Sequence, residues 1–177
     1  MALEPLERLD IRLFVADPNA VDWTDTIPLF TRWIQEEPDR WLDLADYRHV
    51  PSGPGVILIG KDCHVAMDNR RDEPALLFSR REPYEGSNRE RIASALRDAF
   101  AFAERLSRDL PRIRFRQDVC EFAVNDRVAF PNEPEIAGAV EAELRAAVAE
   151  QMPGAATTFE YDANPKERVT FRVRVGG

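Results

Sequence analysis

Ser87-Asn88-Arg89-Glu90 has the spacing of a reciprocal helix cap, in which the Ser87 hydroxyl accepts from the Glu90 amide and the Glu90 carboxylate accepts from the Ser87 amide. Behind it Ile92, Leu96, Ala99, Ala103 and Leu106 fall on one stripe, with Phe100 beside it. A helix of roughly twenty residues with one apolar stripe must lay that stripe on another layer. The same signature recurs at Asn132-Glu133-Pro134-Glu135, where Asn132 is the expected cap, followed by Ile136, Val140, Leu144, Ala147 and Val148. A shorter helix over 26–36 carries Ile27, Phe30, Trp33 and Ile34 and stops before Pro38.

The remaining segments supply the other layer. Residues 10–16, 41–47, 75–80, 157–161 and 169–175 read as strands from their alternation or short apolar runs. Val56-Ile57-Leu58-Ile59 reads as a buried strand continuing through Cys63 to Met67, and 112–116 and 120–124 as two separate strands. The expected order is β-α-β-β-β-α-β-β-α-β-β. Short turns between neighbours imply mostly antiparallel pairing. The fold class is therefore α+β: an antiparallel-rich mixed sheet with two long helices packed on one face and a short N-terminal helix. The 177 residues suit one domain over 1–177. Stretches 56–116 and 118–175 share a coarse hairpin, helix and strand pattern, so a ββαβ pseudo-repeat is a possibility to test, without residue-level similarity.

Composition limits function more than it assigns it. With 32 acidic and 24 basic residues the net charge is −8, which argues against nucleic acid as a partner. Lys61 and Lys166 are the only lysines, a bias that GC-rich coding explains as well as a need for guanidinium chemistry. Neither the opening residues nor the Pro- and Gly-containing run 50–60 resembles a leader or a bilayer span, so the chain reads as cytoplasmic, with no membrane partner. Cys63 and Cys120 are too few for a disulfide framework.

Polar residues concentrate at 43–64, where both histidines fall. A metal site of His49, His64 and Asp46 or Asp62 fails on register. Pairing His49 near Val56 leaves His64 about eight residues off, too far at roughly 3.3 Å per residue. Cys63 as a nucleophile fails because His64 points to the opposite strand face. No metal or cofactor is therefore expected. Paired carboxylates at Asp43 and Asp46 have nothing in the sequence to place them across a cleft. An anion site remains, with Gly53 and Gly55 admitting a ligand to the backbone and Asp46, Arg48, His49 and Lys61 around it. An ordinary inter-strand turn accounts for the same residues.

Arg112, Arg114 and Arg116 share one strand face, and Arg172 and Arg174 another. If those strands are neighbours, five guanidinium groups form an interaction face for an acidic partner. The competing explanation is cross-strand pairing with Asp118, Glu121 or Glu160. Trp23, Trp33 and Trp41 suggest core packing, or an interface if Trp23 is exposed. With no catalytic residues expected, the leading reading is a non-enzymatic binding or assembly module, with a protein partner or self-association as a homo-oligomer. The alternative is a small enzyme or ligand-binding domain taking an anionic small molecule at 46–61.

Overall fold

The computed structural model describes residues 3–176. Its strands are β1 (Leu9–Val15), β2 (Trp41–Tyr47), β3 (Gly55–Gly60), β4 (Cys63–Asp68), β5 (Ala75–Arg80), β6 (Phe115–Val124), β7 (Ala156–Tyr161) and β8 (Thr170–Gly176). Its helices are α1 (Thr26–Glu36), α2 (Asn88–Asp109) and α3 (Pro134–Gln151). The strands form one eight-stranded sheet in the order β2-β3-β4-β5-β1-β6-β8-β7. Every pairing is antiparallel, so the sheet is not mixed.

Period-two alternation sorts the sheet into two faces. Leu9, Ile11 and Leu13, Leu58, Val65, Phe78, Phe122 and Phe171 point toward the helices and share one core with residues of all three helices. Ser87 and Glu90 form the reciprocal cap of α2, and Ile92, Leu96, Ala99, Ala103 and Leu106 are all buried. Trp33 on α1 packs against Phe30 and Phe102, while Phe102 also meets Trp41 and Phe78. Full burial of each such ring is worth about 1.5–3 kcal/mol, so this cluster fastens α1 and α2 to the sheet. Trp33 Nε1 donates to Asp109 Oδ2 at 2.7 Å, giving the buried indole its polar partner. Trp33 and Trp41 are thus core residues, while Trp23 is half-buried.

Three details depart from the sequence-based expectation. The run from Val56 to Met67 folds back at Lys61 and Asp62 into the β3–β4 hairpin, with Ile59 opposite His64. Local apolar content cannot distinguish one long strand from two short ones when the turn is only two residues. Conversely, 112–124 supplies one strand, which begins at Phe115 and carries an irregularity opposite Leu13 and Val15. A single strand thus lies between α2 and α3 and two follow α3, so hairpin, helix and strand do not recur in that order. Finally, Asn132 does not cap α3. Glu133 occupies the cap position, and the Asn132 amide donates to the Asp162 and Asn164 carbonyls while its oxygen accepts from Tyr161. A long-range polar clamp has replaced the local cap.

Candidate functional site

The 46–61 residues separate in space. Arg48 donates to Asp46 through its amide and guanidinium at 2.8–3.0 Å. These bonds lower the Asp46 carboxyl to about 2, so each charge already answers the other. His49 lies exposed in the turn beyond the Tyr47–Gly55 pair. Lys61 occupies the β3–β4 turn, six residues along from Gly55, or about 20 Å at strand rise. A hollow of about 280 Å³ is lined by Arg48, Trp23, Ser52 and Asn69, among others, but not by Asp46, His49 or Lys61.

The glycines of this turn serve the fold. Gly55 has φ +65°, and a Cβ there would stand 2.0 Å from the Met67 carbonyl oxygen. The close approach that a glycine allows is made by the chain itself, on the neighbouring strand.

Folding back at Lys61 brings His64 nearer to His49 than a single long strand would, but they remain at different levels of the ribbon. His64 pairs with Ile59, four positions from Gly55, or about 13 Å. Among the described residues no cluster of three or more His, Cys, Asp or Glu side chains is arranged to hold a metal ion. Burial pushes both thiols up to about 12, Cys63 further influenced by Asp62 and Cys120 by Glu121. They are protonated at neutral pH and poor nucleophiles.

His64 provides a pH signature. Burial lowers its pKa below 6.5, and Arg81 acts in the same direction while Asp10 opposes it. Between pH 6.5 and the lower folded value the unfolded chain binds more protons, so stability falls as pH drops through that window. Unperturbed carboxylates titrate near 4, leaving the window to histidine. In thermal unfolding between pH 7 and 5, His64→Gln is expected to show a shallower loss of melting temperature than the native chain. Equal slopes would remove His64 as the cause.

The five arginines do not share one face. Arg112 and Arg114 precede β6 and turn toward the helices, Arg112 onto Asp25 and the Ala20 carbonyl and Arg114 onto the Ser107 carbonyl. Arg116, Arg172 and Arg174 do converge, bordering a hollow of about 430 Å³ with Asp72 and Glu73. Each holds a carboxylate: Arg116 holds Asp118, Arg172 holds Glu73, and Arg174 holds Glu160. This surface is a neutralised lattice rather than a basic patch.

What organises the helix-free face is a row crossing all eight strands. Register places Ala45, Ile57, Ala66, Leu77, Arg12, Glu121, Arg172 and Glu160 side by side from β2 to β7. The first four are apolar and the last four alternate in charge. Ile59, Tyr47 and His64 extend the apolar half, of which Tyr47 is exposed and Ile57, Ile59 and Leu77 are half-buried with no helix above them. On the charged half Arg12 is buried and reaches back to the buried Asp68 of β4, with Arg12 Nε 2.7 Å from Asp68 Oδ2. That contact lies off the N–H axis, so charge proximity rather than an aligned hydrogen bond holds it. Arg71 and Asp72 fold over this half with φ +60° and +55°, left-handed values that cost non-glycine residues about 1–2 kcal/mol each. Of this cluster the sequence points only to Glu121, as a cross-strand partner for the arginines, and not to Arg12, Asp68 or Arg71. The available signal was the charged alternation of Asp10 and Arg12 within an otherwise apolar strand.

The fold and this face define an α+β protein with a three-helix layer on one side of its sheet and a divided, open surface on the other. No protein-family model matches the chain, and no curated protein matches it. No helix among the described residues is long and apolar enough to cross a membrane.

Proposed function

We propose that the chain is a non-enzymatic protein-binding module whose partner docks on the helix-free face of the sheet. One observation supports this reading: Ala45, Ile57, Ile59 and Leu77 form an apolar, half-exposed stretch around the buried Ala66 with no helix over it, in a chain whose opposite face is covered by three helices. Tyr47, Val50 and Leu42 add exposed apolar surface along the β2 side. Tyrosine at such a position suits an interface, because its ring contributes area and its hydroxyl stays wet.

Size sets a condition on the partner. Four strands at about 4.8 Å spacing span about 14 Å, whereas a stable interface of about 800 Å² per partner is about 28 Å across. A partner resting on the apolar half alone is therefore too small, and it must extend onto the charged half. The alternative, an anionic small-molecule site at 46–61, has less support, because Lys61 lies at the far end of the ribbon and Arg48 already holds Asp46.

Affinity capture from the source cells tests the reading. The native chain is expected to retain a protein that an Ile57→Asp chain, equally folded by melting temperature, does not. Identical sets of captured proteins, or none with the native chain, would overturn the reading.

A further inference from the structure

The sheet is open, with β2 at one edge and β7 at the other, and the two edges differ. β2 is blunted as natural edges are: its register breaks between Trp41 and Asp43, and Asp43 and Asp46 stand on it. β7 runs Ala-Thr-Thr-Phe-Glu-Tyr, paired with β8 residue by residue from Ala156 to Tyr161, with no irregularity, proline or lysine. Its single charge, Glu160, is held by Arg174 Nε at 2.9 Å. Arg145 of α3 lies 4.1 Å over the Phe159 ring and bonds to Glu141, so its charge too is answered within the chain. Register also fixes which backbone groups face outward. The Asp162 amide donates to the Thr170 carbonyl, so by alternation Glu160 and Thr158 exchange bonds with Arg172 and Arg174. The N–H and C=O groups of Thr157, Phe159 and Tyr161 therefore point off the sheet, where no strand among the described residues meets them.

We propose that β7 pairs antiparallel with β7 of a second copy, joining the two sheets into one across a two-fold axis. Self-complementarity argues for a second copy over a foreign strand. Centring the axis on Phe159 sets Thr157 opposite Tyr161 of the second copy, Phe159 opposite Phe159, and Tyr161 opposite Thr157. All three outward residues are then matched, and each pair exchanges two hydrogen bonds. Moving the axis by one residue either way leaves one of the three facing a residue outside β7. In the centred register Glu160 faces Thr158 of the second copy, so no like charges meet, whereas an axis at Glu160 would set that carboxylate against itself. The net charge of −8 on each chain does not act at close range here, because Glu160 and Arg145 are both paired, and salt screens it beyond about 8 Å. β7 lies at the far end of the sheet from Ile57, so the docking face stays open in the pair. The axis stands perpendicular to the sheet, so both helix-free faces open on the same side and the dimer offers a partner two docking surfaces.

Sedimentation velocity of the full chain over a wide range of loading concentrations tests this. The chain is expected to pass reversibly from monomer to dimer. As it does, hydrogen exchange is expected to slow at the Thr157, Phe159 and Tyr161 amides and to stay unchanged at Thr158 and Glu160, which already bond to β8. Thr157→Pro removes an outward N–H and no bond within the chain, and is expected to weaken the dimer about tenfold or more. Thr158→Glu sets a carboxylate opposite Arg174 within the chain but opposite Glu160 of the second copy. It is expected to weaken the dimer about fivefold without lowering the melting temperature of the dilute chain. This second variant carries the test should the proline variant fail to fold. A chain monomeric at every concentration, a dimer indifferent to the variants that fold, or protection at β2 in place of β7 would overturn the proposal. Ile57→Asp is expected to leave the dimer intact. If it abolishes the dimer, the second copy occupies the helix-free face and the β7 pairing falls. If a strictly monomeric chain still captures a protein that depends on Ile57, the edge pairing falls and the docking face stands.

Discussion

Replacing Arg12 with alanine is expected to lower the free energy of unfolding by about 3–5 kcal/mol, the usual cost of removing one partner from a buried ion pair. The residue is 2% exposed, and its single guanidinium serves four acceptors. Nε faces Asp68, NH1 faces Glu121, and NH2 donates to the carbonyls of Arg70 and Glu73 at 3.1 and 3.0 Å. Asp68 is fully buried and would keep only Arg70, at 3.0 Å. Glu121 would keep two guanidinium groups at 3.8 Å. The carbonyls of the 70–73 turn would lose their donor, which loosens the strained Arg71 and Asp72. Lysine at position 12 restores a charge but not a planar fork, so Arg12→Lys is expected to recover only part of the loss. Coupling distinguishes this account from simple loss of packing. Asp68→Asn should cost less in the Arg12→Ala background than in the native chain, by at least about 1 kcal/mol. Additive urea-unfolding energies, or an Arg12→Ala loss below about 1 kcal/mol, would show that Arg12 does not hold this face together.

This cluster also marks the limit of what the sequence makes legible. Local rules served well where both partners of an interaction are near in the chain. The α2 cap needs only Ser87 and Glu90, and its buried stripe needs only helical spacing, so both could be read directly. The row through Arg12 depends instead on β1 inserting between β5 and β6, strands that begin 66 and 106 residues after Leu9. No local pattern announces that insertion. Arg172 and Arg174 share a face, and of the cross-strand carboxylates expected there Glu160 pairs with Arg174 and Glu121 lies 3.8 Å from Arg172, whereas Asp118 meets Arg116 within one strand and the nearest acid to Arg172 is Glu73. Arg112 and Arg114 lie outside the sheet although the regular Arg-Ile-Arg-Phe-Arg alternation has the pattern of a strand. The strand begins only at Phe115, and the preceding arginines find acceptors beside α1 and α2. Asp46, Arg48, His49 and Lys61 looked like one cluster because they are close in number. A β-ribbon sets residues that are close in number far apart along its length.

The Gly55 position carries the other large effect. Gly55→Ala is expected to destabilise the chain by about 3 kcal/mol or more, from two separable causes. A left-handed φ of +65° costs an L-residue with a side chain about 1–2 kcal/mol on its own. The added Cβ would also lie 2.0 Å from the Met67 carbonyl oxygen and 3.2 Å from the Trp23 ring. A backbone oxygen in a paired strand cannot swing aside as a flexible side chain can, so the Val56–Met67 pairing must yield. Gly154 provides the comparison. Its φ is +82°, but a Cβ there meets nothing within 4 Å, so Gly154→Ala should show the dihedral cost alone, about 1–2 kcal/mol. Gly138 lies within α3 with open space around it, and Gly138→Ala should stabilise by about 0.5–1 kcal/mol. Urea unfolding of the three variants ranks these causes directly. If Gly55→Ala were no worse than Gly154→Ala, the clash with Met67 would not exist in solution, and a role for Gly55 in admitting a ligand to the backbone would again be the better explanation of the glycine.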